Sequence, residues 1–306
     1  MIIDLDDTSS ARINAALVDI RRSTGCPALG MVLTLVIAAG DGDHRHAVRA
    51  AAEAAREHPC RIIAVTASPA GPTGRLDAEI RITGETGPGE ALLLRLYGPL
   101  AEHADSAVLP LLLPDTPVVT WWPDRGPEVP YGDPLGRLAQ RRITDAARAS
   151  RPLEEIGWRA RGYHPGDTDL AWTRLTPWRS LLAAALDQHR VRVTGGAVEA
   201  EPDNPSAELL ALWLRDRLEV GVTRADSAGP GITAVRLGTE DGDIAVTRPD
   251  GRVALLTMPG RVDRLVALKR RPEAEAVAEE LRWLDPDDIY ASALRRALPR
   301  ERAPAP

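Results

Sequence analysis

Two apolar runs separated by an alanine-rich stretch restrict this chain more than any other feature. Met31-Val-Leu-Thr-Leu-Val-Ile37 reads as a buried strand, Asp43 to about Glu57 as a helix ended by His58-Pro59, and Arg61 to Thr66 as a second strand. Ala47, Ala50, Ala51 and Ala54 form a smooth stripe suited to close packing on a sheet. A strand–helix–strand unit of this kind places two parallel strands in one sheet.

The neighbouring segments extend that sheet. Thr8 or Ser9 can cap a first helix, in which Ile13, Ala16, Leu17 and Ile20 share one face. Leu76–Thr83 and Ala91–Leu96 read as strands, Gly98 to Leu112 as helical, and Val118-Val-Thr-Trp-Trp122 as a further strand. Pro123 to Pro134 is rich in Pro, Gly and Asp and reads as a loop. Thr176 is placed as the N-cap of a helix with Pro177 at its first position, and Trp178, Leu181, Leu182, Ala185 and Leu186 fall on one face.

The last third differs in character. A helix is expected over Pro205–Val220, then four strands at about 232–238, 243–248, 252–258 and 262–268, with Asp241-Gly242, Asp250-Gly251 and Pro259-Gly260 as turns. The helix before this meander and two after it, Glu273–Leu284 and Asp287–Leu298, are the expected lids. The predicted fold is therefore α/β plus α+β. A helix-flanked mixed sheet with the β-α-β unit occupies residues 1–189, including the Trp/Arg/Asp-rich segment 117–189. An antiparallel four-stranded meander covered by helices occupies 190–298, and 299–306 is a flexible tail.

Composition excludes several function classes. At 306 residues, 44% hydrophobic and 27% charged, the chain has enough apolar material for two ordinary cores. Arg replaces Lys almost everywhere, Lys269 being the only lysine, and Phe is absent. The formal charge of −6 lacks the basic footprint that nucleic-acid binding needs. The N-terminus, Met1-Ile-Ile-Asp-Leu-Asp-Asp7, is acidic where a secretory signal is basic, and no apolar run is long enough to span a bilayer. Cys26 and Cys60 are too few for a disulfide scaffold. Together these point to a cytoplasmic protein with no membrane or nucleic-acid partner.

The familiar catalytic signatures are missing. There is no phosphate-binding P-loop, no G-x-G-x-x-G, no G-x-S-x-G, no H-E-x-x-H and no C-x-x-C. Gly84, Gly87 and Gly89 have the dinucleotide-binding spacing reversed and read as a turn. His44 and His46 lie beside Asp41 and Asp43, but two positions apart on a helix they diverge by about 200°, which makes shared metal coordination awkward. Cys60 heads a buried strand and reads as a packed thiol. No cofactor or metal is expected.

The candidate binding residues cluster in the middle of the chain. Residues 137–174 hold eight Arg against five acidic residues. Asp167, Asp169, Trp172, Arg174, Trp178 and Arg179 fall within fourteen positions. Two carboxylates and two guanidiniums could form bidentate pairs shielded by indoles, either as a structural knot or as a site whose arginines hold a phosphate or carboxylate. Trp121 and Trp122 end a strand and point to opposite faces, so one is expected in the core and the other near the surface or beneath the loop. Arg141, Arg142 and Asp145 could line the same edge, and exposed Trp beside Arg favours protein interfaces.

Several of these stretches resemble one family. Leu109-Pro-Leu-Leu-Leu-Pro-Asp-Thr-Pro117, Trp121-Trp-Pro123, Arg141-Arg-Ile-Thr-Asp145 and Gly166-Asp-Thr-Asp-Leu-Ala-Trp-Thr-Arg-Leu-Thr-Pro-Trp-Arg179 are similar to the glucose-6-phosphate dehydrogenase assembly protein OpcA family. So are Met1-Ile-Ile-Asp-Leu5, Glu57-His-Pro-Cys-Arg61, Arg95-Leu-Tyr-Gly-Pro-Leu100 and Gly231-Ile-Thr-Ala-Val-Arg236, and the resemblance runs to about residue 298. It implies a non-catalytic protein that assembles or allosterically activates glucose-6-phosphate dehydrogenase, the NADP-dependent first step of the oxidative pentose phosphate route. It carries over no catalytic residues. Redox control through cysteines, associated with photosynthetic members, is not extended to a chain with no cysteine after Cys60. The alternative is an enzyme or sensor that binds a sugar phosphate or nucleotide through the Arg-rich 137–179 segment. Self-association is left open.

Overall fold

The computed structural model describes residues 1–24, 30–40, 44–82, 90–189 and 191–298. Cys26, Asp41, Asp43, the glycines at 84, 87 and 89 and the tail 299–306 lie outside the described residues. In chain order the elements begin β1 (Ile2–Leu5), α1 (Ser10–Thr24), β2 (Leu33–Ala38), α2 (His44–Ala54), β3 (Cys60–Ser68), β4 (Arg75–Ile82) and β5 (Glu90–Tyr97). Next come α3 (Ala104–Val108), β6 (Val118–Trp121), α4 (Pro134–Arg137), β7 (Arg141–Thr144), α5 (Pro152–Gly162), β8 (Asp167–Asp169), α6 (Leu170–Thr173) and α7 (Thr176–Gln188). The remainder is β9 (Val193–Ala200), α8 (Pro205–Leu218), β10 (Val222–Asp226), β11 (Ile232–Thr239), β12 (Gly242–Thr247), β13 (Val253–Thr257), β14 (Arg264–Ala267), α9 (Glu273–Arg282) and α10 (Asp288–Arg295).

The chain forms two compact units that are interleaved in sequence. The first comprises Met1–Asp145, Gly166–Thr168 and Glu273–Pro286; the second comprises Ala146–Pro165, Asp169–Pro272 and Asp287–Pro306. A single division near residue 189 does not describe this. The helix α7, expected with the N-terminal half, contributes Trp178, Leu182 and Ala185 to the second unit's core.

The first unit is built on a mixed sheet in the order β1-β4-β5-β3-β2-β6-β7-β8. The expected β-α-β unit is present: β2 and β3 pair in parallel, Leu35 opposite Ile62, with α2 as the crossover. β5 and β6 extend the parallel run on either side, and β4 returns antiparallel to β5. Parallel sheets are buried on both faces, which is why these strands read as continuous apolar runs rather than alternations. Ile13, Leu17 and Ile20 of α1 pack with Val36, Ile63 and Leu94. On the other helix, α2, the alanine stripe is buried, and α9 packs against it. Gly98–Leu112 is not one helix: Pro99 and Pro110 divide it into 3-10 turns flanking the short α3.

The second unit holds a sheet in the order β10-β9-β11-β12-β13-β14. The meander β11 to β14 pairs antiparallel as expected, but β9 and β10 enlarge it to six strands. The register puts Val198, Val235, Leu237, Ile244, Val246 and Leu256 in one core, which α8 covers with Leu210 and Leu214. α10 joins that cover, whereas α9 belongs to the first unit, so only one of the two C-terminal helices is a lid of the meander. Thr176 is not an N-cap: Leu175, in a helical conformation, holds that position without a side-chain cap.

Candidate functional site

Three sequence candidates of the first unit, Arg141, Arg142 and Asp167, enter buried ion pairs, one between the adjacent strands β7 and β8 and one from β7 to α9. Arg141 and Arg142 open β7, a strand that the apolar pattern missed because its charges are neutralised in place. Arg141 donates through Nε (3.0 Å) and Nη2 to Glu280 Oε2 of α9, and through Nη1 to the carbonyl of Asp285. Arg142 donates through Nε to Asp167 Oδ1 of β8 and through Nη1 to the carbonyl of Ala139, and its guanidinium lies over the Tyr131 ring. Arg141, Arg142, Asp145 and Asp167 are all buried.

Gly166 makes that pairing possible. Its φ is +94°, and a Cβ there would sit 2.2 Å from the Gln140 carbonyl oxygen and 2.9 Å from Arg142 Nη2. Only glycine tolerates both the backbone conformation and the approach. Its carbonyl then accepts from the Arg142 amide at 2.9 Å, fixing β8 beside β7.

Trp121 and Trp122 are both buried, at 0% and 5% exposure, so neither indole is at the surface. Trp121 lies in a strand covered on both faces. Trp122, just beyond it, is held by its backbone amide on the Ile143 carbonyl (2.9 Å) and borders the loop that runs to α4.

The second unit gathers the remaining candidates. Asp169 is fully buried and caps α6, its Oδ1 accepting from the Ala171 amide at 2.8 Å, and both its oxygens accept from the Ala146 amide. Trp172 donates from Nε1 to Asp287 Oδ2 at 2.8 Å, while Asp287 Oδ1 caps α10 through the Ile289 and Tyr290 amides. The Trp172 ring packs 5.5 Å from Tyr290, and the Arg179 guanidinium covers it at 3.8 Å. Trp178 is buried under Arg248, whose guanidinium lies 4.8 Å from its ring. Arg174 and Arg179 are half-buried.

Arg248, Arg61 and Glu90 are buried charges, and Arg21 a half-buried one beside Glu90, that no sequence motif announces. Arg248 donates to the carbonyls of Leu268 and Ile232, and burial, with Arg270 nearby, lowers its pKa to about 10. Glu90 accepts from Arg21 Nε (2.5 Å) and Arg61 Nη2 (2.8 Å). Burial pushes Glu90 up, but the two guanidiniums outweigh it and hold the carboxyl below its ordinary value. None of these charges has a local motif; each partner comes from a distant part of the chain.

Among the described residues no group of three or more His, Cys, Asp or Glu is placed to hold a metal ion. His46 Nδ1 instead lies 3.0 Å from Glu273 Oε2. Burial pushes the Cys60 thiol up to about 12, which removes it as a nucleophile at neutral pH. Among the described residues no helix is long and apolar enough to cross a membrane.

Two family models match the chain: one described as the glucose-6-phosphate dehydrogenase subunit N-terminal domain over residues 51–161, the other as its C-terminal domain over residues 165–294. This chain belongs to the OpcA family. A relative from Synechocystis sp., named an OxPP cycle protein OpcA, is 29% identical over 140 residues, which is 42% of this chain and 29% of that protein. The chain thus matches less than a third of that OpcA relative's length. Among solved structures, a variant of the 3-ketoreductase KijD10 from Actinomadura kijaniata, complexed with TDP-benzene and NADP, aligns over 87% of this chain and 95% of its own. The TM-score is 0.48 and the identity 12%. An NAD-binding oxidoreductase from Klebsiella pneumoniae aligns over 78% of this chain and 76% of its own, with a TM-score of 0.32 and 11% identity. Such values assign neither a reaction nor a cofactor to this OpcA-family chain.

Proposed function

We propose that this protein is a non-catalytic partner of glucose-6-phosphate dehydrogenase that assembles or allosterically activates it in the oxidative pentose phosphate route, acting in the cytoplasm. The observation that carries this reading is the pair of dehydrogenase-subunit family models, which between them reach from residue 51 to residue 294. The charged chemistry of the middle segment supports a binding role over catalysis. Arg141 and Arg142 spend their guanidiniums on Glu280 and Asp167, so these two cations of the Arg-rich segment are committed internally rather than turned to an anionic substrate.

In this reading Trp121, Trp122, Arg141, Arg142, Asp145 and Asp167 support a docking surface on the first unit from beneath, and Asp169, Trp172, Arg174, Trp178 and Arg179 do the same on the second, each unit taken by itself. Buried ion pairs of this kind fix a particular arrangement more than they add stability. Activation then rests on a difference in affinity for two states of the enzyme, which sets its upper limit.

The test is to mix the purified protein with purified dehydrogenase. Co-elution on gel filtration and a higher rate at subsaturating glucose 6-phosphate are expected. Separate elution together with unchanged kinetics at matched concentrations rules the proposal out.

A further inference from the structure

The first unit contains a cavity that the pairing of buried charges does not use. Its sheet reverses direction of growth at β2: the chain passes from β2 to β3 on one side, and β6 pairs with β2 on the other, all three parallel. In open parallel sheets the crevice outside the carboxyl ends of the strands at such a switch point is where ligands bind. Here it holds a cavity of about 370 Å³, within the range of small-molecule sites, bordered by Ala38 at the end of β2, Ala67 of β3, Trp122, Arg125, Glu102 and Asp133.

The polar groups on this wall are unspent. Asp133 uses Oδ1 to cap α4, accepting from the Leu135 amide at 2.9 Å and the Gly136 amide at 3.3 Å. Among the described residues Oδ2 accepts nothing. Arg125 and Glu102 are exposed and form no ion pair with any described residue. One acceptor pair, one forked donor and an indole beside small alanines suit a ligand with many hydroxyls and an apolar ring face. Two carboxylates oppose a pyrophosphate, and the volume lies near the lower end of ligand sites, so a dinucleotide fits poorly. We infer that this cavity binds a monosaccharide-sized polyol, with the Asp133 and Glu102 carboxylates accepting from its hydroxyls and Arg125 able to hold a phosphate on it.

This inference stands apart from the partner reading and is tested without the dehydrogenase. The full chain is titrated calorimetrically with D-glucose, D-glucose 6-phosphate and inorganic phosphate. Saturable heat from at least one sugar is expected, weakened about tenfold by Asp133→Asn, which loses the charge but keeps the cap. Ala67→Leu, which fills the cavity, abolishes it, and thermal melting checks that both variants fold. Arg125→Ala weakens the phosphorylated sugar alone if the phosphate is held, and neither sugar if the unphosphorylated ring is the ligand. No saturable heat from either sugar overturns the inference. So does inorganic phosphate binding as tightly as the sugar phosphate, or sugar binding untouched by Ala67→Leu.

Discussion

The Arg179 guanidinium lies 3.8 Å from the centre of the Trp172 ring, and the indole beneath it donates from Nε1 to Asp287. One side chain therefore joins α7, α6 and the cap of α10. A cation held over an indole at this distance contributes about 1 kcal/mol at a half-exposed site.

Arg179→Ala is expected to lower unfolding stability by about 1 kcal/mol, and Trp172→Ala by about 3–5 kcal/mol through the cavity it leaves. Urea titration measures both. If the cluster supports a docking surface, both variants lose dehydrogenase activation in proportion to stability. Arg179→Ala abolishing activation with no loss of stability makes Arg179 a direct contact instead.

The Arg141–Glu280 pair gives a sharper test of a buried charge. Glu280→Leu alone strands Arg141 in the core and is expected to cost about 3–5 kcal/mol. Adding Arg141→Met removes the orphan charge and restores most of that loss. A double variant as unstable as Glu280→Leu contradicts the pairing.

Glu90 contributes to the acid sensitivity of the first unit. Its folded pKa is depressed, so its stabilising effect is complete above the ordinary value of 4.5 and disappears as pH falls through the folded value. Glu90→Gln flattens the stability profile below pH 4.5 and lowers stability at neutral pH, leaving Arg21 and Arg61 without their counter-charge. Chemical unfolding across this pH range reads the difference.

Cys60 works in the alkaline direction. Its thiol is raised from 9.0 to about 12, so the unfolded chain releases its proton first and stability falls as pH rises between those values. The slope is about 1.4 kcal/mol per pH unit, and Cys60→Ala removes it. A thiol reagent at pH 8 should leave Cys60 unmodified until denaturant is added. Rapid labelling of Cys60 in the native protein disproves its burial.

Gly166→Ala should be among the most damaging single-methyl additions, because the new Cβ meets a backbone carbonyl as well as an unfavourable φ. A loss of about 3 kcal/mol or more is expected, measured by thermal melting. A neutral outcome shows that β8 can shift away from Gln140.

Where apolar periodicity alone sets an element, the sequence was legible: β2, α2 and β3, the α1 stripe and the Asp-Gly hairpins all stand where they were read. β7, β8 and β9 were not legible. β7 begins with two arginines whose burial depends on Glu280 and Asp167, and β9 carries Gly195-Gly196 at its middle. The composition of the Trp/Arg/Asp segment is readable, but its geometry is not, since Arg141 and Trp172 meet their partners Glu280 and Asp287 more than a hundred positions along the chain. Alternation along the strand places one of Trp121 and Trp122 in the core and the other near the surface or beneath the loop, whereas both are buried, β6 lying inside the sheet between β2 and β7.

The first unit takes back residues 273–286 between two stretches of the second, and Arg141 waits 139 positions for Glu280. During synthesis an arginine destined for the interior therefore stays without its counter-charge until α9 leaves the ribosome. A nascent chain cut short before α9 should be a client of chaperones or proteases, whatever the quality of its earlier sheet.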